Sequence, residues 1–362
     1  MKARLGLQRF VCFGVAMMAP FLAYAYQLNT CSAGTVKWSN TNPTIWKMHT
    51  GSFTAGSAMD QVVQRAMQAW TNVAGSKFVF NIGRDSSAIS NTDYINQVYI
   101  ANYASSPGYL AVTRMRWVCG GFIGAVMNEA DVEFANAPNA QVPNRIQWTT
   151  STGFSNDIVS NQNLGVFSIE GVALHEFGHA LGLEHENRWV STMNSYYPFA
   201  GPVGGDTRRW LPHGDDRVGA RVLYPDATTE TDVTMVGFKA NPAVAGASIP
   251  VAATPSVVYR GSQVTMDFVF NNMGTSRATV NNGFYLSTDR NITYSDPWIA
   301  YVVGAWSNPG TTWGPINLTI PTWITPGNYY LGAIIDYDNL IAERYDGASE
   351  NSQNAATLLT IR

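Results

Sequence analysis

The run Ser168-Ile-Glu-Gly-Val-Ala-Leu-His175-Glu176-Phe-Gly-His179-Ala-Leu-Gly182-Leu-Glu-His185 holds three of the chain's five histidines. If the run is helical, His175 and His179 stand one turn apart on one face, because residues four apart are neighbours on a helix. Two imidazoles on such a face can share one zinc ion. Glu176 lies beside that face, within reach of a water on the metal. Gly182 ends the helix, since glycine adopts a left-handed backbone at little cost. The chain can then turn and bring in His185 as a third ligand. Three protein ligands leave a fourth position open, as a catalytic zinc requires. A helix with surface histidines is the alternative, and it leaves the clustering unexplained. His49 and His213 lack ligand spacing and read as surface or hydrogen-bonded histidines.

These residues need elements to position them. Met59 to Ala74 reads as a helix, with Val62, Val63, Ala66, Met67 and Trp70 at helical spacing and Gly75 as a stop. A second helix begins near Ser168 and a third runs near Asp215 to Leu223. Strand patterns fall in Thr35–Met48, Lys77–Ile82, Gln97–Ala101, Leu110–Cys119 and Gly124–Phe134. Residues 26–226 are therefore expected to form an α+β domain. From 227 to 362 the helical period is lost. Short alternating runs recur between Asn, Gly and Pro turns: Asp232–Phe238, Gln263–Asn271, Gly283–Ser287, Trp298–Val303, Trp313–Ile320, Tyr329–Asp336 and Ala356–Ile361. That pattern predicts an all-β sandwich after a short linker.

The first 25 residues read as a signal peptide. Lys2, Arg4 and Arg9 precede the apolar run Phe10–Leu22, and Ala23-Tyr24-Ala25 fits a cleavage site. The run is short for a membrane anchor and Pro20 interrupts it. No later segment is apolar for long enough to span a bilayer, so a secreted or periplasmic protein is expected. Cleavage removes three basic residues, taking Lys plus Arg from 22 to 19 against 25 Asp plus Glu, a charge of −6. No basic block remains, so nucleic acid is excluded as a natural partner. Cys12 leaves as well. The surviving pair, Cys31 and Cys119, suits one disulfide in an exported protein.

The histidine run matches the long zinc-binding motif H-E-x-x-H-x-x-G-x-x-H, and residues 36–225 resemble the metzincin metallopeptidases. Ser191-Thr192-Met193-Asn194, with Met193 eight residues past His185, fits the family's Met-turn, and the short interval is similar to matrixins and their bacterial relatives. Trp38, Ala69-Trp70, Phe78-Val79-Phe80, Asn128–Phe134 and Leu211–Pro225 resemble further matrixin segments in the same order. The resemblance implies one catalytic zinc on His175, His179 and His185, Glu176 as general base, and Met193 as a packing base beneath the metal. It also implies an extended peptide docked on an edge strand, placed near Gly121–Met127. Tyr196, Tyr197 and Pro198 follow the Met-turn and are expected to wall the specificity pocket. No cysteine-switch propeptide is visible, and the loop that binds structural zinc and calcium in vertebrate matrixins is not recognisable. No second zinc is expected, and calcium is left open. Glu186 occupies the place of an astacin glutamate that contacts the mature N-terminus, with a surface salt bridge as the plainer alternative.

Residues from about Asp232 to Arg362 resemble the bacterial cell-adhesion-related (CARDB-type) immunoglobulin-like domain. Phe270-Asn-Asn-Met-Gly274, Phe284–Asp289, Thr325–Tyr330 and Asp336–Asn339 carry that resemblance. It implies a fold and leaves the ligand open, between a cell-surface or matrix ligand and a passive spacer. The expected function is a secreted zinc endopeptidase that cleaves extracellular proteins or peptides with a zinc-activated water and Glu176 as base. The competing function is a non-catalytic zinc-containing adhesion protein. The intact Glu176 disfavours it.

Overall fold

The computed structural model describes residues 26–39, 45–101, 109–120, 124–135, 147–150, 166–186, 191–193, 195, 211–212, 214–226, 233–238, 257–272, 276–289, 292–308, 310–343 and 351–362. Two separate large apolar cores occur among them. One draws on residues between Val36 and Tyr224, the other on residues between Val233 and Ile361.

The first core lies between a mixed sheet and the helices. β1 (Thr30–Cys31) and β2 (Gly34–Thr35) make a small antiparallel ladder. The main sheet holds β3 (Lys37–Trp38), β4 (Ile45–His49), β5 (Asn81–Asp85), β6 (Asn96–Ala101), β7 (Ala111–Cys119) and β8 (Ala125–Ala135). β5, β4, β6 and β8 run parallel in that order, β3 also pairs with β8, and β7 lies antiparallel along the other side of β8. β9 (Gln147–Thr149) and β10 (Val166–Ser168) pair parallel just before the histidine run. Alternation along β8 sends Ala130, Val132 and Phe134 into the core. Glu129, Asp131 and Glu133 point to the opposite face, where they are also buried. There Arg116 lies 3.3 Å from Glu129, Arg114 lies 2.9 Å from Glu133, and the Gln97 N–H donates to Asp131 at 2.7 Å.

Among the described residues three helices complete this half: α1 (Ala58–Thr71), α2 (Ile169–Leu181) and α3 (Gly214–Leu223). Ser57 caps α1 by accepting from the Asp60 N–H. α1 packs on α2 through Met67 and Trp70, and the Trp70 indole N–H donates to the Leu174 carbonyl at 2.8 Å. Arg65 grips Glu170 with two hydrogen bonds, 2.9 and 2.7 Å, fixing the start of α2. The strand expected over Lys77–Ile82 begins later, at Asn81. Phe78 and Phe80 do enter the core, but side chains take their backbone N–H groups, Ser76 for Phe78 and Thr71 for Phe80. No ladder is needed to satisfy them.

Around the second core, β11 (Val233–Phe238), β13 (Gln263–Asn272) and β16 (Gly310–Thr319) form one sheet. β12 (Val257–Val258), β18 (Ser352–Ile361), β17 (Gly327–Ile335), β14 (Ala278–Ser287) and β15 (Trp298–Ser307) form the other, in that order. Val264 and Phe270 from one sheet meet Phe284 and Leu331 from the other, so this half is the expected all-β sandwich.

Cys31 and Cys119 form a disulfide across 88 residues of sequence, tying β1 to the end of β7. Replacing both by serine should cost about 2–4 kcal/mol, because a long loop regains freedom in the unfolded chain. Urea unfolding of the double variant against the parent measures this.

Candidate metal centre

Helix α2 is apolar on nearly every side, and each of its residues but Gly171 is buried. Ser168 caps its start by accepting from the Gly171 N–H. Gly182 ends it in the left-handed region, φ 109°. A side chain could not sit there, since a Cβ would lie 2.8 Å from the Val36 carbonyl oxygen. The N-terminal segment then straps the departing chain. Asn29 N–H donates to Gly182, and Glu184 N–H donates to Gln27. His185 arrives against α2 by this turn.

His175, His179 and His185 each offer one ring nitrogen, and these atoms lie within 4.8 Å of one another. Two of the rings have fixed tautomers. His175 Nδ1 lies 2.8 Å from the Thr192 carbonyl, and His179 Nδ1 lies 2.8 Å from the Leu183 carbonyl. A carbonyl only accepts, so each Nδ1 carries the proton and each Nε2 keeps its lone pair. His179 Nε2 and His185 Nε2 stand 3.2 Å apart. Burial pushes all three imidazoles below their ordinary value, His179 to about 4, and the neighbouring rings add to the drop for His175 and His179. Neutral rings with converging lone pairs suit a zinc ion, and the backbone partners hold them as ligand-orienting groups do.

Glu176 follows His175 and is buried. Burial lifts its carboxyl to about 7, against hydrogen bonds from Thr113. Thr113 Oγ1 donates to Glu176 Oε2 at 2.7 Å and lies 2.9 Å from the Glu176 carbonyl oxygen. A carboxyl poised near neutrality can both take and give a proton.

Met193, 1% exposed, packs against α2 at Gly178, where the Met-turn was expected. Asp216 of α3 organises that turn. It accepts from the Ser191 hydroxyl at 2.7 Å, the Thr192 N–H at 2.6 Å and the Met193 N–H at 3.2 Å. Thr192 in turn holds His175. Beside it, burial and the nearby Asp216 and Glu186 push the Asp215 carboxyl well above the usual range. Glu186 is itself buried and not on the surface, and its N–H donates to the Met193 carbonyl at 2.8 Å. The turn after His185 and the Met-turn are thereby linked.

The expected docking strand also needs correction. Ala125–Met127 belongs to β8 and already has β3 on one side and β7 on the other. Among the described residues β5 and β7 each have an edge with no partner strand, and β7 is the one that reaches α2 through Thr113. Tyr196, Tyr197 and Pro198 lie outside the described residues, as does His213. His49 ends β4 and is half-buried, far in sequence from the triad. Thr113 and Asp216 carry no signal in the spacing that would have assigned them these contacts; only the meeting of β7, α2 and α3 does.

Gly178 explains why the turn fits so closely under the helix. A Cβ there would lie 2.2 Å from the Met193 sulfur and 3.0 Å from the Trp70 ring. Gly178→Ala should push the Met-turn away, costing about 1–3 kcal/mol. It should also weaken zinc binding, because Thr192 would move with Met193. Chemical denaturation and zinc titration of the variant test both effects.

Residues 37–225 match the family model of the matrixins, which are peptidases. Mouse matrix metalloproteinase-25 is 51% identical over 53 residues, 15% of this chain and 8% of that protein. Human matrix metalloproteinase-17 is 49% identical over 53 residues, again 15% of this chain and 8% of the relative. The chain thus spans less than a tenth of the length of these curated relatives. Among solved structures, the CARDB domain of a Pyrococcus furiosus protein, in complex with di-metal ions, is similar at 12% identity. It covers 37% of this chain and 96% of that one, with a TM-score of 0.25. Since the matrixin match runs over more than half of its residues, the chain belongs to the matrixin family of metallopeptidases.

Proposed function

We propose that residues 26–226 are a secreted zinc endopeptidase and that residues 227–362 are an accessory domain that holds it near a cell-surface or matrix ligand. The observation that carries the catalytic part is the convergence of three histidine nitrogens within 4.8 Å beside a buried glutamate. His175, His179 and His185 would hold the metal. Zinc there supplies Lewis acidity, polarising the scissile carbonyl and acidifying water.

The rest falls to the protein's own groups. An extended peptide pairs with the open edge of β7, its backbone satisfying that strand. Glu176 takes a proton from the attacking water as the new C–O bond forms. It then delivers that proton to the amide nitrogen as the C–N bond breaks. Met193 packs under the histidines and coordinates nothing, and Tyr196, Tyr197 and Pro198 are assigned to the pocket wall. Residues 1–25 are assigned to export, with cleavage after Ala25. The Cys31–Cys119 disulfide supports an oxidising destination. No helix among the described residues is long and apolar enough to cross a membrane. One zinc is proposed, with calcium left open.

Purified mature protein should bind one zinc per chain and cleave casein or a quenched peptide. Glu176→Gln should keep the zinc and lose at least about 100-fold in kcat, the usual scale for a missing general base. A chelator should stop cleavage, and added zinc should restore it. A fully active E176Q protein would overturn the mechanism. Zinc binding without cleavage of any broad substrate would favour the non-catalytic adhesion function.

A further inference from the structure

We infer that Thr113 is a positioning residue for Glu176, and that β7 thereby aligns substrate and base on one strand. The role rests on the endopeptidase function proposed above. Thr113 is the third residue of β7, with its side chain buried against α2, and its hydroxyl reaches both polar ends of Glu176. The carboxylate contact is the shorter, 2.7 Å against 2.9 Å. A charged acceptor makes the stronger bond, so the hydroxyl proton belongs there while the carboxylate is ionised. When the carboxyl carries the water's proton, the hydroxyl can turn to the Glu176 carbonyl. It therefore has a bond to make in both halves of the proton transfer.

The same strand has an unpaired backbone edge among the described residues; β5 has one at the far side of the sheet, but only β7 touches Glu176. Residues of β7 alternate between its two faces, and Thr113 lies on the face toward α2. A peptide paired along that edge is thus registered against the strand that fixes the base. Threonine suits the task, because its branched Cβ stiffens χ1 and favours a strand. Besides this hydroxyl, the Thr113 backbone N–H is the only other described donor to the Glu176 carboxylate, so both of its hydrogen bonds come from one residue of β7. Loss of the hydroxyl should therefore leave the carboxylate in place on the helix but loosely oriented.

Three variants of the full chain test this: Thr113→Val, which keeps the shape and removes the hydroxyl, Thr113→Ser, which keeps the hydroxyl, and Glu176→Gln. T113V should lower kcat by about 10- to 100-fold with KM within about threefold and zinc stoichiometry unchanged, the scale expected of a misaligned catalytic group. T113S should recover kcat to within about threefold of the parent. Stability of the zinc-free proteins gives a second readout. T113V should lower the urea midpoint in the parent, and lower it less in a Glu176→Ala background, because the two side chains are coupled. Parental kcat in T113V, or equal loss in T113V and T113S, would overturn the positioning role while E176Q remains dead. If E176Q itself stays active, the general-base role of Glu176 fails first and Thr113 is a structural residue.

Discussion

Three imidazoles can aim their lone pairs at one point only if something else takes their other ring protons. In this protein backbone carbonyls do so for two of them. Thr192 holds His175 and Leu183 holds His179, each at 2.8 Å. Neither carbonyl belongs to the helix that carries the histidines. One lies in the Met-turn and the other in the turn after Gly182, so the metal site depends on how both loops are tied down. Asp216 fixes the first from α3, and the N-terminal segment fixes the second through Gln27 and Asn29. The Glu186 N–H joins the two loops. Two loops close in sequence, tied down by α3 and the N-terminal segment, thus set two ring tautomers.

The same helix has to be buried for the electrostatics to work. Apolar contacts on every side of α2 keep the imidazoles neutral and raise the Glu176 carboxyl. Burial alone would leave the carboxylate costly and loose. Thr113 answers both problems from the sheet, and Arg65 with Glu170 and the Trp70 indole lock α2 to α1. Stability and chemistry therefore draw on the same contacts. Gly178 shows how little slack remains, because the Met193 sulfur occupies the space a methyl group would need.

Much of this was legible in the residues. The i, i+4 histidines, the adjacent glutamate and the glycine that turns the chain are local features of a helix and its end, and the structure places each as expected. So are α1, with its apolar positions at helical spacing, and the alternating strands of the second half. The edge strand was misplaced because alternation tells which face a residue takes and says nothing about which side of a strand is already paired. The segment at Phe78 and Phe80 looked like a strand for a related reason. Its side chains alternate into the core, yet side-chain oxygens meet its N–H groups.

The sequence by itself determined the histidine triad, the glutamate beside it, the disulfide pair and the order of an α+β half before an all-β half. These follow from spacing along one helix, from cysteine count and from periodicity, all of which are short-range. Only the tertiary structure decided the tautomers, the anchoring of the Met-turn by Asp216, the free edge of β7 and the contact of Thr113 with Glu176. Each of those joins residues from elements distant in the chain. Their partners are chosen by packing and by the need to satisfy buried polar groups, which no local pattern records.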